Sequence, residues 1–68
     1  MNIMNEIEDT IDQIEGLLKD LQWDKAINNI HDMCYTAYVL GHRMEELYTY
    51  NTNLYQQYKS RVYEILER

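Results

Sequence analysis

His31, Cys34 and His42 are the residues of this chain with soft-metal or nucleophilic character, and their spacing restricts what they can do. On a helix His31 and Cys34 share a face, but a zinc site needs two further ligands. His42 lies too far along a straight helix to supply one. A nucleophilic Cys34 would need a neighbouring base to lower its thiol pKa, and Asp32 and Glu45 cannot do that. Cys34 also falls on an apolar stripe, which predicts a small buried side chain. Carboxylates are plentiful, among them Glu8 with Asp12, Glu15, and the pair Glu45 and Glu46. General acid–base work requires them in a concave, partly dry pocket, which a helical protein of this size rarely contains. The alternating oxygen ligands of a calcium loop are missing. The expectation is therefore no catalytic residue, no metal site, no cofactor and no enzymatic activity.

The aromatic residues point elsewhere. There are seven tyrosines, one tryptophan and no phenylalanine. Phenylalanine suits a closed interior because it needs no hydrogen-bond partner, whereas tyrosine suits surfaces buried by association and wet at the rim. Tyr48, Tyr55 and Tyr58 fall on the apolar stripe described below, and Tyr35, Tyr38, Tyr50 and Tyr63 lie off its centre. The sequence predicts a protein interface formed by Met44, Leu47, Tyr48, Asn51, Leu54, Tyr55, Tyr58, Val62 and Ile65. Asn51 is included because a lone buried Asn can fix register and pairing.

Net charge is −6, and its placement is uneven. Residues 1–24 carry seven acids against Lys19 alone, whereas the remaining residues carry five acids against five bases. The whole imbalance sits on the first third of the chain. Glu8, Asp12 and Glu15 mark an acidic face there, suited to basic partners and repelled by nucleic acid and anionic membranes. The local balance around Lys59, Arg61 and Arg68 is nearly neutral, too weak for direct nucleic-acid binding. Met1 to Asp9 is polar and acidic, unlike a secretory signal. No apolar run approaches the roughly 20 residues of a membrane span. A single cysteine fits a reducing compartment, so the expected location is the cytoplasm.

The elements that must position these residues read as all-α. Sixty-eight residues make one domain, 1–68, with an apolar fraction of 46%, no proline and two glycines. Met4, Ile7, Ile11, Ile14, Leu18 and Leu21 alternate in steps of three and four, the stripe of an amphipathic helix over about residues 3–20. Leu21 to Ile27 reads as a tight turn, with Asp24 as N-cap of the next helix and Trp23 folding back on it. Leu17, Leu18, Trp23, Ala26, Ile27 and Ile30 give this hairpin a look that resembles one tetratricopeptide-repeat hairpin. The resemblance covers one hairpin, with no second copy about 34 residues on, and implies only two helices meeting at a short turn.

From Ile27 the same alternation continues through Ile30, Cys34, Ala37, Gly41, Met44, Tyr48, Asn51, Tyr55, Tyr58, Val62 and Ile65. Met33, Leu40, Leu47 and Leu54 accompany it at seven-residue intervals. The unbroken phase predicts a helical hairpin whose second helix spans about residues 24–67, kinked at Gly41. The alternative is a three-helix bundle with a break near 41–43, favoured over one near 49–53. Residues Thr49 to Asn53 are nevertheless poor in helix formers, and Asn53 with Gln56 has capping-box spacing. A helix of 44 residues would span about 66 Å, against about 27 Å for an 18-residue first helix. Its overhang would present a bare apolar ridge, covered by a second copy in a two-fold dimer.

These features converge on a non-enzymatic protein–protein interaction module of unknown partner: a small acidic adaptor, inhibitor or chaperone that self-associates through its C-terminal Tyr/Leu stripe. Two alternatives stand beside it. One is an acidic inhibitor that docks its first helix on a basic or nucleic-acid-binding protein by mimicking nucleic acid. The other is a purely structural homo-oligomer.

Overall fold

A computed structural model describes residues 3–67, with side chains from Asn5 onward. It contains three α-helices: α1 (Ile3–Ala26), α2 (Ile30–Tyr50) and α3 (Thr52–Glu67). The helical hairpin with one long second helix is overturned, and the three-helix alternative is the architecture. Its break is at Asn51, however, and not near 41–43. The molecule measures 39 × 20 × 14 Å, far short of the roughly 66 Å that a 44-residue helix would span. The side chain of Met4, first in the predicted stripe, lies outside the described residues.

Two asparagine-built joints divide the chain. The first lies beyond the predicted turn, because α1 runs through Trp23 and Asp24 to Ala26. Asn28 adopts a left-handed φ of 60°, which asparagine tolerates better than most residues with a Cβ. The Asn28 N–H donates to the Lys25 carbonyl (3.1 Å) and the Asn29 N–H to the Asp24 carbonyl (2.8 Å). This pair of bonds is the Schellman closure of a helix end. Asn29 then caps α2: its side chain accepts from the Asp32 N–H at 3.2 Å and donates to the Asp32 carboxylate at 2.8 Å. Asp24 is not an N-cap. It is buried, and its carboxylate accepts from the Thr36 hydroxyl at 3.2 Å across the α1–α2 contact.

The second joint is one residue long. The Asn51 N–H donates to the Leu47 carbonyl at 2.7 Å, closing α2. Its side-chain oxygen accepts from the Leu54 N–H at 3.1 Å, opening α3. Between these two roles its backbone is extended, at φ −156° and ψ 100°. The cap of α3 is thus Asn51 with Leu54, two residues before the Asn53–Gln56 spacing.

The core is built where α1 meets α2. Ile14, Leu18 and Leu21 from α1 face Leu40, Met44 and Leu47 from α2, and all six are buried. On α2 the inward line is Met33, Thr36, Leu40, Met44 and Leu47, with Ile30, Cys34, Ala37, Gly41 and Tyr48 outside it. The reason is volume. Cys34, Ala37 and Gly41 are small, so turning the Leu-bearing line inward removes more apolar surface from water. Cys34 is consequently exposed, contrary to its predicted burial.

Helix α3 folds back along this pair and contributes no fully buried side chain. Leu54, Tyr55, Tyr58, Val62 and Ile65 lie half-buried against the core. The accessible surface of 4942 Å² is close to the roughly 4,600 Å² of a compact monomer of this mass. A lone chain therefore covers most of the ridge that the long-helix reading left bare.

Neither glycine is required by the backbone. Both Gly16 and Gly41 have negative φ, and a Cβ built on either meets nothing within 4 Å. The helix runs through Gly41 without a break. Gly16→Ala and Gly41→Ala should each raise unfolding free energy by about 0.5–1 kcal/mol through lower chain entropy. Urea denaturation followed by circular dichroism checks this, and destabilisation by either would show a conformational need for the glycine.

Candidate functional site

Small residues on the outer side of α2 leave room beside α3. Ala37 and Gly41 lie over the buried Leu40 and Met44, opposite Tyr55, Val62, Tyr63 and Leu66 of α3. Together they line an open groove of about 210 Å³. Lys59 borders it, with its ammonium 6.0 Å from the centroid of Tyr55 and 5.9 Å from that of Tyr63. The spacing of 55, 59 and 63 places the three side chains one helical turn apart on one face, where a cation can lie against aromatic rings.

Other exposed aromatics surround the groove's two helices. Tyr48 packs edge-on against Tyr55, with centroids 5.1 Å apart and planes at 82°. Tyr38 packs on His42 at 5.0 Å and 74°. Tyr38 is 68% exposed and Tyr35 is 69% exposed, with Ile30, Tyr63 and Leu66 also well exposed. Chemically, this arrangement can receive apolar side chains of a partner helix while the tyrosine hydroxyls stay in contact with water.

The predicted interface residues are distributed across three settings. Met44 and Leu47 are buried in the chain's own core. Leu54, Tyr55, Tyr58, Val62 and Ile65 are the half-buried inner face of α3, with Tyr55 and Val62 also on the groove. Tyr48 is exposed, and Asn51 is an exposed joint, not a buried register residue. Ala37, Gly41, Lys59, Tyr63 and Leu66 were outside the predicted set. Their signal was present in the sequence as Tyr55, Lys59 and Tyr63 at four-residue spacing and as small residues on the stripe.

The acidic face is also divided. Glu8 and Asp12 are exposed. Glu15 instead joins α1 to α3. Its carboxylate accepts two bonds from the Arg61 guanidinium, at 2.7 and 3.1 Å, and one from the Tyr58 hydroxyl at 2.7 Å. The guanidinium carbon lies 5.2 Å from the Tyr58 ring centroid. Hydrogen bonding from Arg61, then from Tyr58, lowers the Glu15 pKa below the usual carboxylate value. Tyr58 is raised, first by burial and then by its bond to Glu15. Farther along, the Lys25 ammonium donates to the carbonyls of Ile65 and Leu66, where the negative end of α3 favours a cation.

His31, Cys34 and His42 do not gather, and no group of three or more metal-ligating side chains occurs among the described residues. No helix among them is long and apolar enough to cross a membrane. No family model, curated protein or solved structure matches this chain.

The Glu15 contact makes stability depend on acid. A carboxylate whose pKa is lowered by folding adds stability above its unfolded pKa, and that stability is lost as pH falls through the folded value. Glu15→Gln should therefore lower the melting temperature at pH 7, and the gap from the wild type should close as pH falls below about 4. Thermal melts across pH measure this, and a gap independent of pH would assign the loss to packing alone.

Proposed function

We propose that this chain is a non-enzymatic protein-binding module whose contact surface is the aromatic side formed by α2 and α3. The observation that carries the reading is the groove over Leu40 and Met44, bordered by Lys59 and Tyr63. The exposed Tyr48 packs on its Tyr55 wall, and the exposed Tyr38 lies on the same helix as Ala37 and Gly41. Aromatic residues supply large contact area with few rotatable bonds and are enriched at the centres of protein interfaces. The partner chemistry that fits is an amphipathic helix presenting apolar anchors about one turn apart. Adaptor, inhibitor and chaperone are the roles compatible with such a surface.

Charge bears on the alternative. Glu8, Asp9, Asp12 and Asp20 remain exposed on α1, so a basic partner would be attracted to that side. Yet Glu15 is spent within the chain on Arg61 and Tyr58, which leaves a shorter acidic row for imitating nucleic acid. The aromatic side is the preferred contact, and the acidic side contributes long-range attraction.

Photo-crosslinking separates the two readings. A benzophenone amino acid at position 38 should form a discrete adduct in extract of the source cells, and one at position 12 should not. The position-38 adduct should persist at 0.5 M salt, where long-range attraction is screened, and disappear on Tyr63→Ser. Adducts from position 12 alone, lost at high salt, would favour the acidic docking face instead.

A further inference from the structure

We propose that α3 is an exchangeable arm: it rotates about Asn51 and takes the place of the same helix on a second copy of this chain, giving a two-fold dimer. The exchange does not depend on what the groove binds. Four observations carry it.

The first is the joint. Helix-to-helix connections in bundles usually have about two to eight residues, whereas Asn51 alone separates Tyr50 from Thr52. Short hinges favour exchange between copies over closure within one. The second is the character of the arm. Helix α3 has no fully buried side chain, so leaving the chain requires no core residue to be extracted from a closed interior. The third is what departure uncovers. Leu40, Met44 and Leu47 lie on the surface of α2 that packs with Leu54, Tyr55 and Val62, and bare apolar ground of this kind must be covered again.

The fourth identifies the occupant. The seat left by α3 carries Glu15 midway along α1 and Lys25 near its end. Arg61 and Tyr58 meet the first, and the carbonyls of Ile65 and Leu66 meet the second. A helix that fits needs a cation and a phenol three residues apart and must end beside Lys25. The α3 of another copy satisfies all of this, and every contact made within one chain is remade between two. Such exchange preserves the native contacts and is a low-cost route to a dimer. The groove would then take Ala37 and Gly41 from one copy and Tyr63 and Leu66 from the other.

Charge reversal tests the exchange on full-length chains. Glu15→Arg and Arg61→Glu each place like charges at the α1–α3 contact, within a monomer and within a homodimer alike. In an exchanged heterodimer of the two variants, both contacts become opposite-charge pairs. The variants are mixed in equal amounts, heated through their transitions and cooled, then sized by light scattering. The expected result is a species of twice the chain mass holding one copy of each variant, with a melting temperature above that of either alone. A single chain carrying both substitutions should recover the same melting temperature without mixing. If a variant alone is unfolded, helix regained on mixing gives the same readout. One outcome would overturn the proposal: a mixture that keeps the separate melts of its components and yields no species holding one copy of each variant.

Discussion

The fold depends on the contact between the Ile14–Leu18–Leu21 line of α1 and the Leu40–Met44–Leu47 line of α2. Those side chains make up the buried hydrophobic residues among those described. Burying one of this size contributes about 1.5–3 kcal/mol, against an ordering cost of about 1–2 kcal/mol for every residue fixed. A chain with one cysteine and no internal disulfide has little else to offset that cost. Asp24 with Thr36 lies within the same α1–α2 contact, and the three polar contacts of Glu15 hold α3 beside it. Helix α3 is the part that shields the seam without belonging to it.

That constraint explains what was legible in the sequence. All-helical character followed from the three-four alternation and the lack of proline, and the α1 stripe through Ile14, Leu18 and Leu21 is the one that is buried. The phase of α2 was harder. Two lines three or four residues wide run along the same helix, and alternation alone does not rank Ile30–Cys34–Ala37–Gly41 against Met33–Leu40–Leu47. Side-chain volume ranks them, because only the second line fills the space beside Leu18 and Leu21.

The joints were missed for a related reason. The apolar phase is the same before and after Asn51, since a single residue breaks the helix while the i to i+4 bonds on either side remain. Periodicity cannot report a break that costs it no register. What reports it is local chemistry: Asn51 stands where its amide can close one helix and its side chain can open the next. Asn28 and Asn29 do the equivalent work at the first turn, one by adopting a left-handed backbone and one by capping. Glu15 was legible as an acid but not as a latch, because Tyr58 and Arg61 lie 43 and 46 positions away.

Helix α3 therefore has two duties on adjoining flanks. Tyr58 and Ile65 shield the seam, Lys59, Tyr63 and Leu66 wall the groove, and Tyr55 and Val62 do both. A ligand engaging the groove would need an α3 seated there, from the same chain or, under the proposed exchange, from a second copy. By mass action such a ligand would stabilise the forms with α3 seated by RT ln(1 + [L]/Kd), about 2.7 kcal/mol at a hundredfold excess over Kd. Because Tyr55 and Val62 both line the groove and pack on the core, occupying the groove and retaining α3 would be linked. In a protein this small the half-buried third helix thus places the wall of the groove and the shield of the core on one element.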